Sequence, residues 1–564
     1  MVFTAADDQS IGAAVGTNAL SGYYAAIALN LDYYSANSSF ILQNVRFAHA
    51  QCGLAFFGAT GHVLSDAQFV NCANGMDLYY CGFHVRNALW HNVMTNFSGT
   101  SSTGAGEHLT VDTANWMNLT GACTDLYLTN SLIVAVTNYG SFSSNAVYTA
   151  SGGVFQSVGA GSHYLANNTY RNLGTTNVAI LSELRQRTTY PPIVLSNTIS
   201  VNTTLQPQAQ RDADLPDIGY HYDAVDWALN TLAVTNATLT LTNGVAVATF
   251  GDIGLWLRER SRLVSEGTAL ARNHISRYNT VQEQSTNWAN GSVTGNVSIN
   301  PYINGTNYPT AEIRFTDFDG LSAGGWHLYM DDGHWVFGTL TLRDCTFNSA
   351  RVVFAGAAGA VLSLNNNLFE RVNNEFTHFP QIDCYNNLFK GGTNFFERYA
   401  TAGTWTLRDN SFDGCQLANE GESITHSHNA YIAMSTQLSP TNASDKVLSS
   451  FSYASGALGR YYQVSTNLYD AGSRTNAALA GLYHHTVKTS QAKEANSIVD
   501  IGFHYIAVDG SGVPVDTDGD GLPDYFEDRN GNGTYDSGSG ETDWQSSNNG
   551  TSGGPGLQTF TPLK

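Results

Sequence analysis

An eight-residue template, apolar-x-apolar-x-Asn/Asp-x-x-aromatic, recurs along this chain and limits its fold more than any other feature. In the first half it reads Phe40, Leu42, Asn44, Phe47, then Leu64, Asp66, Phe69 with His62 in the outermost place, then Phe83, Val85, Asn87, Trp90. A looser copy is Leu109, Val111, Thr113, Trp116, and Leu126, Leu128, Asn130, Ile133 closes the series. The second half repeats it as Leu340, Leu342, Asp344, Phe347, then Leu362, Leu364, Asn366, Phe369, then Ile382, Cys384, Asn386, Phe389. Trp405, Leu407, Asp409, Phe412 and Ile424, His426, His428, Tyr431 complete it. Successive copies lie 17 to 26 residues apart.

Alternation at period two marks a strand with one buried face. The Asn or Asp falls where the chain turns, where its side chain can satisfy backbone groups and stacked copies can form a ladder. The aromatic then returns inward. One coil of this length cannot bury its own apolar edge, but a stack of coils can. The pattern therefore predicts an all-β parallel β-helix that rises about 4.8 Å per coil. An antiparallel sandwich does not account for a fixed polar-x-x-aromatic tag, and the leucine-rich-repeat framework is missing.

A longer repeat lies above the coils. Asp217-Ile-Gly-Tyr-His-Tyr-Asp-Ala-Val-Asp226 matches Asp500-Ile-Gly-Phe-His-Tyr-Ile-Ala-Val-Asp509, and Gly161-Ser-His-Tyr-Leu resembles Gly459-Arg-Tyr-Tyr-Gln. The chain thus reads as two related modules, 1–226 and 227–509, each ending in a loop-rich closing segment. A cassette at 510–544 and a flexible linker at 545–564 follow. His221 and His504 recur at the module ends, which predicts a capping role with ring nitrogens bonded to backbone. With these residues the chain resembles the right-handed parallel β-helix, pectin-lyase-like superfamily, and more narrowly exported bacterial proteins built from such coils. That resemblance implies the fold, but the superfamily spans lyases, hydrolases, esterases and adhesins.

The sharpest motif is Asp516-Thr-Asp518-Gly-Asp520-Gly-Leu522-Pro-Asp524-Tyr-Phe-Glu527. Carboxylates fall at positions 1, 3, 5, 9 and 12, glycine stands at 6, and Leu522 can offer its carbonyl at 7. Hard oxygen donors in this order predict a Ca²⁺ loop, with Glu527 placed for bidentate binding. A second copy, Asp528, Asn530, Asn532, Thr534 and Asp536, lacks a Glu at position 12, and Glu541 or Asp543 could supply that ligand. The cassette resembles type 3 thrombospondin-like repeats. Nine carboxylates and one arginine lie between Asp516 and Asp543, so the stretch calls for bound cations.

The net charge of −21 argues against nucleic acid as a partner. No apolar run is long enough to span a membrane. The start has no signal-peptide pattern, so the chain reads as a piece of a longer exported protein. Seven cysteines at irregular spacing read as buried small hydrophobes.

The residues richest in ligand-binding character are Asp317, Asp319, Trp326, Asp331, Asp332, His334 and Trp335. Aromatic faces stack on sugar rings and paired carboxylates do acid/base work. His426 and His428 share a strand face but occupy template places, so they read as structural. Arg258, Arg260 and Arg262 alternate, with Glu259 and Glu266 as available partners, which suggests a solvated face. No residue set identifies a catalytic reaction. The first expectation is an extracellular or cell-surface scaffold for adhesion or carbohydrate binding, stabilised by Ca²⁺. The alternative is a polysaccharide-active enzyme, a lyase or glycoside hydrolase, and the two differ in whether acids converge in one groove.

Overall fold

The computed structural model describes residues 1–8, 16, 18–31, 38–283, 297–320, 325–331, 333–397, 403–420 and 424–547. Asp332 and the linker from residue 548 onward lie outside them. The chain is a right-handed parallel β-helix. It divides into two compact units: the first holds residues 1–194, 208–228 and 278–290, and the second holds 195–207, 229–277 and 291–564.

In the first unit, strands Ile41–Ala48, His62–Val70, Gly82–His91 and Ser102–Asn118 pair in parallel. Their register aligns Phe47, Phe69, Trp90, Val111 and Ile133. This corrects the loose fourth copy of the template. Val111, not Trp116, holds the inward place, and Trp116 pairs instead with Thr95 on the neighbouring strand. Gly104 and Gly106 fill the apolar places of that coil, so its signature carries no side chains that a reader could match. With Val111 restored, the coils repeat every 21 or 22 residues.

The polar template position has a backbone cause. Asn44, Asp66, Asn87, His108 and Asn130 all sit at φ between 48° and 56°. Asp344, Asn366, Asn386, Asp409 and His428 do the same between 56° and 61°. This left-handed corner favours Asn and Asp among residues other than glycine, because a short polar side chain can bond locally.

Three parallel sheets wrap the second unit. One, the ladder sheet, includes Thr316–Asp319, Thr346–Asn348, Leu368–Glu370, Leu388–Lys390, Ser411–Asp413 and Ala430–Ile432. Its interior carries Phe318, Phe347, Phe369, Phe389, Phe412 and Tyr431, stacked at 4.4, 4.9, 4.9, 5.0 and 5.6 Å. These spacings are close to the rise between paired strands, so each ring meets its copy in the next coil.

The expected polar ladder lies one residue beyond the template position. Asn367, Asn387, Asn410 and Asn429 are fully buried. The backbone N–H of Asn367 donates to Asn387 Oδ1 at 2.8 Å, that of Asn387 to Asn410 at 3.0 Å, and that of Asn410 to Asn429 at 3.0 Å. The side-chain amide of Asn387 donates in turn to the Leu364 and Tyr385 carbonyls. Asn387→Ala strands the Asn367 N–H in the core, so a loss of about 1–3 kcal/mol is expected in urea unfolding. A loss under about 0.5 kcal/mol would mean that the ladder is not a structural support.

All seven cysteines are buried and free. His426 bonds the Pro440 carbonyl at 2.8 Å and faces Asp445 at 3.3 Å, which is a structural setting. His221 holds the Gly219 carbonyl with one ring nitrogen and Asp212 with the other. The segment around Arg258 forms strands Ile253–Leu257 and Arg262–Glu266, with Arg262 on Glu312 at 2.8 Å.

Candidate functional site

The sheet of the second unit that runs through Ile253–Leu257, Val297–Pro301, Trp326–Leu328, Arg351–Phe354, Asn373–Phe376 and Thr393–Glu397 carries an open groove. Strand alternation builds it. Phe354, Phe376 and Phe396 point inward and stack at 5.0 and 4.7 Å. Their neighbours must therefore face out. One outer row aligns Trp326, Arg351, Asn373 and Thr393, and the next aligns Val353, Glu375 and Phe395. The groove encloses about 650 Å³ and is also lined by Asp331, His378 and Glu397.

Glu375 is the most perturbed group there. Half-burial, followed by the charges of Glu397 and Asp331, pushes its carboxyl above the usual range against the opposing pull of Arg351 and His378. A carboxyl raised above its usual range beside further acids is the kind of arrangement acid/base catalysis uses. The Trp326 ring lies edge-on to Tyr329 at 5.4 Å with Arg351 5.9 Å above it. Tyr329 donates to Asp331 at 3.2 Å, which fixes that carboxylate at the groove wall.

Trp256, Tyr302 and Trp335 form an aromatic patch on earlier coils of the same sheet, with Trp256–Tyr302 at 5.3 Å and Tyr302–Trp335 at 6.1 Å. Arg258 covers Trp256 at 4.8 Å. His334 borders the patch, and its Nδ1 lies 2.9 Å from the Ile303 carbonyl.

The residues expected to form one site are thus divided. Trp326 and Asp331 line the groove, while His334 and Trp335 belong to the aromatic patch. Asp317 and Asp319 face a different pocket on the ladder sheet, where Asp317 pairs with Arg272 at 2.8 Å and Asp319 accepts from Asn348 at 2.8 Å. Arg351, Glu375, His378, Phe395 and Glu397 escaped sequence reasoning. The placement of Glu375 and Glu397 beside Phe376 and Phe396, which pair one coil apart, was the available signal.

The acidic cassette folds into two loops of one design. Asp516 accepts from the backbone N–H of Gly519 and Gly521, and Asp528 accepts from Gly531 and Gly533. Asp518 receives the Asp520 N–H as Asn530 receives that of Asn532. Asp520 receives the Leu522 N–H as Asn532 receives that of Thr534. In the first loop, ligand-capable oxygens of Asp516, Asp518 and Asp520 lie within 4.8 Å of one another. Asp518 Oδ2 and Glu527 Oε2 are buried without a hydrogen-bond donor. Burial, then Asp518, Asp520 and Asp524, push the Glu527 carboxyl up to about 7. These oxygens fit a hard divalent cation.

Asp524, the carboxylate at position 9 of this loop, has protein partners of its own. It holds Lys493 at 2.5 Å and the Thr517 hydroxyl at 2.7 Å, so it positions the loop. In the second loop Asp536 accepts from the amides of Asn530 and Asn532, and Glu541 accepts from the Asn530 and Asp536 N–H groups.

No protein-family profile matches the chain, and no curated protein sequence matches it. Among solved structures it is similar to the PL6 family alginate lyase AlyGC, at 13% identity over 73% of this chain and 70% of that one, with a TM-score of 0.25. A point mutant of that enzyme matches over the same shares at 10% identity and a TM-score of 0.22. Likeness this loose carries no argument about activity, which must be read from the groove.

Proposed function

We propose that the second unit binds an uncharged polysaccharide along this groove and hydrolyses it, with Glu375 as general acid. The observation that carries the reading is a half-buried carboxyl, raised above its usual range, set beside two further acids and aromatic faces in an open groove. Trp326 and Phe395 offer stacking faces, and the Trp256, Tyr302 and Trp335 patch extends the track along the same sheet. Three carboxyl groups against one arginine suit sugar hydroxyls and repel uronates. In the reaction the Glu375 proton passes to the glycosidic oxygen as the C1–O bond breaks, and water delivers hydroxide to C1 after losing its proton to Glu397.

The groove favours this enzymatic reading over a purely adhesive scaffold, because the acids converge. Incubation with neutral plant and algal polysaccharides tests it. New reducing ends without unsaturated products are expected. Unsaturated ends would assign a lyase, and binding without cleavage would leave only the scaffold role.

The cassette serves this unit as a Ca²⁺-loaded brace, held by Asp516, Asp518, Asp520, Glu527 and the Leu522 carbonyl, and the protein works outside the cell where calcium is abundant. Affinity in the range of about 10⁻⁴–10⁻³ M is expected, as in extracellular modules. Terbium luminescence sensitised by Tyr525 should report it. Asp518→Asn should weaken binding at least about tenfold, since it removes one charged ligand. Unchanged terbium affinity in that variant would rule out the assigned loop.

A further inference from the structure

We propose a second carbohydrate site, a half-open pocket beneath the closing hairpin of the second unit that takes one neutral hexose unit. It encloses about 240 Å³ and shares no lining residue with the groove. Pockets for drug-sized ligands begin at about 300 Å³, so this one suits a single ring rather than a chain.

The duplicated architecture supplies the argument. Both units close with the same antiparallel hairpin, Phe155–Val158 with Gly161–Leu165 and Tyr453–Gly456 with Gly459–Gln463, in the same register. Both then bond a corner asparagine reciprocally to the recurring histidine backbone, Asn87 with His221 and Asn366 with His504. Two residues past the left-handed corners stand Arg46 and Gln68 in the first unit and Asp317 and Thr346 in the second.

In the first unit this space is filled. Arg46 donates to Gln68 at 2.7 Å, and Gln68 donates to Tyr220 at 2.9 Å. Glu283 enters beneath the hairpin and accepts from Ser162, His163 and Tyr222. In the second unit the shorter Thr346 replaces Gln68, Phe503 replaces Tyr220, and the hairpin side chain of Arg460, the counterpart of Ser162, is taken up by Glu370 at the pocket wall. The hairpin remains, the Gln68–Tyr220 link has no counterpart between Thr346 and Phe503, and the pocket stays open.

The walls suit a sugar. Phe315, Tyr461, Phe503 and Tyr505 present aromatic surface. Arg272 pairs with Asp317 at 2.8 Å and Arg460 pairs with Glu370 at 2.5 Å, so both cations are already neutralised. Among the described residues Asp319 receives the neutral Asn348 and Ser276 donors, which leaves accepting capacity for ligand hydroxyls. Among the described residues that line the pocket, a uronate finds no uncommitted cation.

Ligand-observed NMR and calorimetry with D-glucose, D-galactose, D-mannose and D-glucuronate test the proposal on the whole chain. Saturable binding of at least one neutral hexose is expected at about 1–10 mM. Asp319→Ala should weaken it at least about tenfold. Thr346→Gln, which installs the side chain the first unit carries at this place, should abolish it in a protein that still folds. Glu375→Gln should leave it unchanged, so failure here is separable from failure of the groove reading. Absence of saturation up to about 100 mM, glucuronate binding as tight as any hexose, or hexose binding that survives Thr346→Gln would each overturn the proposal.

Discussion

Glu375→Gln is expected to lower the rate of polysaccharide hydrolysis about 10²–10⁴-fold with little change in KM. Gln keeps the shape and the hydrogen-bonding length of the side chain but has no proton to give. Stacking on Trp326 and Phe395 is untouched, so ground-state binding should persist. The pH profile carries a second signature. Half-burial and the charges of Glu397 and Asp331 raise the Glu375 carboxyl, so the protonated acid survives to higher pH than an ordinary glutamate. Activity should fall on the alkaline side as that proton leaves. The variant should lose the alkaline limb. Aryl glycosides with good leaving groups need little protonation, so they should recover much of the lost rate. A variant whose kcat is unchanged, or whose loss is equal for activated and natural substrates, would remove Glu375 from the reaction.

The fold was legible because its cause is local and repeated. Apolar residues two apart, a corner that accepts Asn, and a returning phenylalanine recur in each coil, and each copy stacks on the last. Reading failed where a coil lacks side chains to match, as at Gly104 and Gly106, or where two adjacent asparagines compete, as at Asn366 and Asn367. In the latter pair the first residue turns the corner at φ 57° and the second builds the ladder. The candidate site was harder. Asp317 and Asp331 are near in sequence, yet the chain passes from the ladder sheet to the groove sheet between them. Glu375 and Glu397 are 22 residues apart and become neighbours only through stacking. A site assembled across coils leaves no contiguous motif, whereas the cassette, whose ligands follow one another, was readable as a loop.

His163→Gln should cost the first unit about 3–5 kcal/mol, the range for breaking a buried ion pair from one side. His163 lies buried between two carboxylates, with Nδ1 2.8 Å from Glu283 and Nε2 3.1 Å from Asp112. Burial alone would lower its pKa, but the two acids override it and push it to about 9. Burial would likewise raise Glu283, yet His163 and Ser162 hold it down at about 2. The imidazolium is therefore the cation that lets Glu283 stay charged beneath the hairpin, where Tyr222 and Ser162 supply the remaining donors. Its contribution is fully present below the unfolded histidine value of about 6.5 and disappears as pH rises through about 9. The contribution of Glu283 is present above about 4.5 and disappears as pH falls through about 2. Hydrogen exchange of the Gly82–His91 strand, followed from pH 6 to pH 9.5, should show stability draining by about 3 kcal/mol in the natural sequence. The same interval should be nearly flat in His163→Gln. Adding Glu283→Gln to that variant should restore part of the loss, because the stranded charge is gone. A His163→Gln protein that keeps its stability to within about 1 kcal/mol, with the alkaline slope intact, would show that the hairpin is held by packing alone.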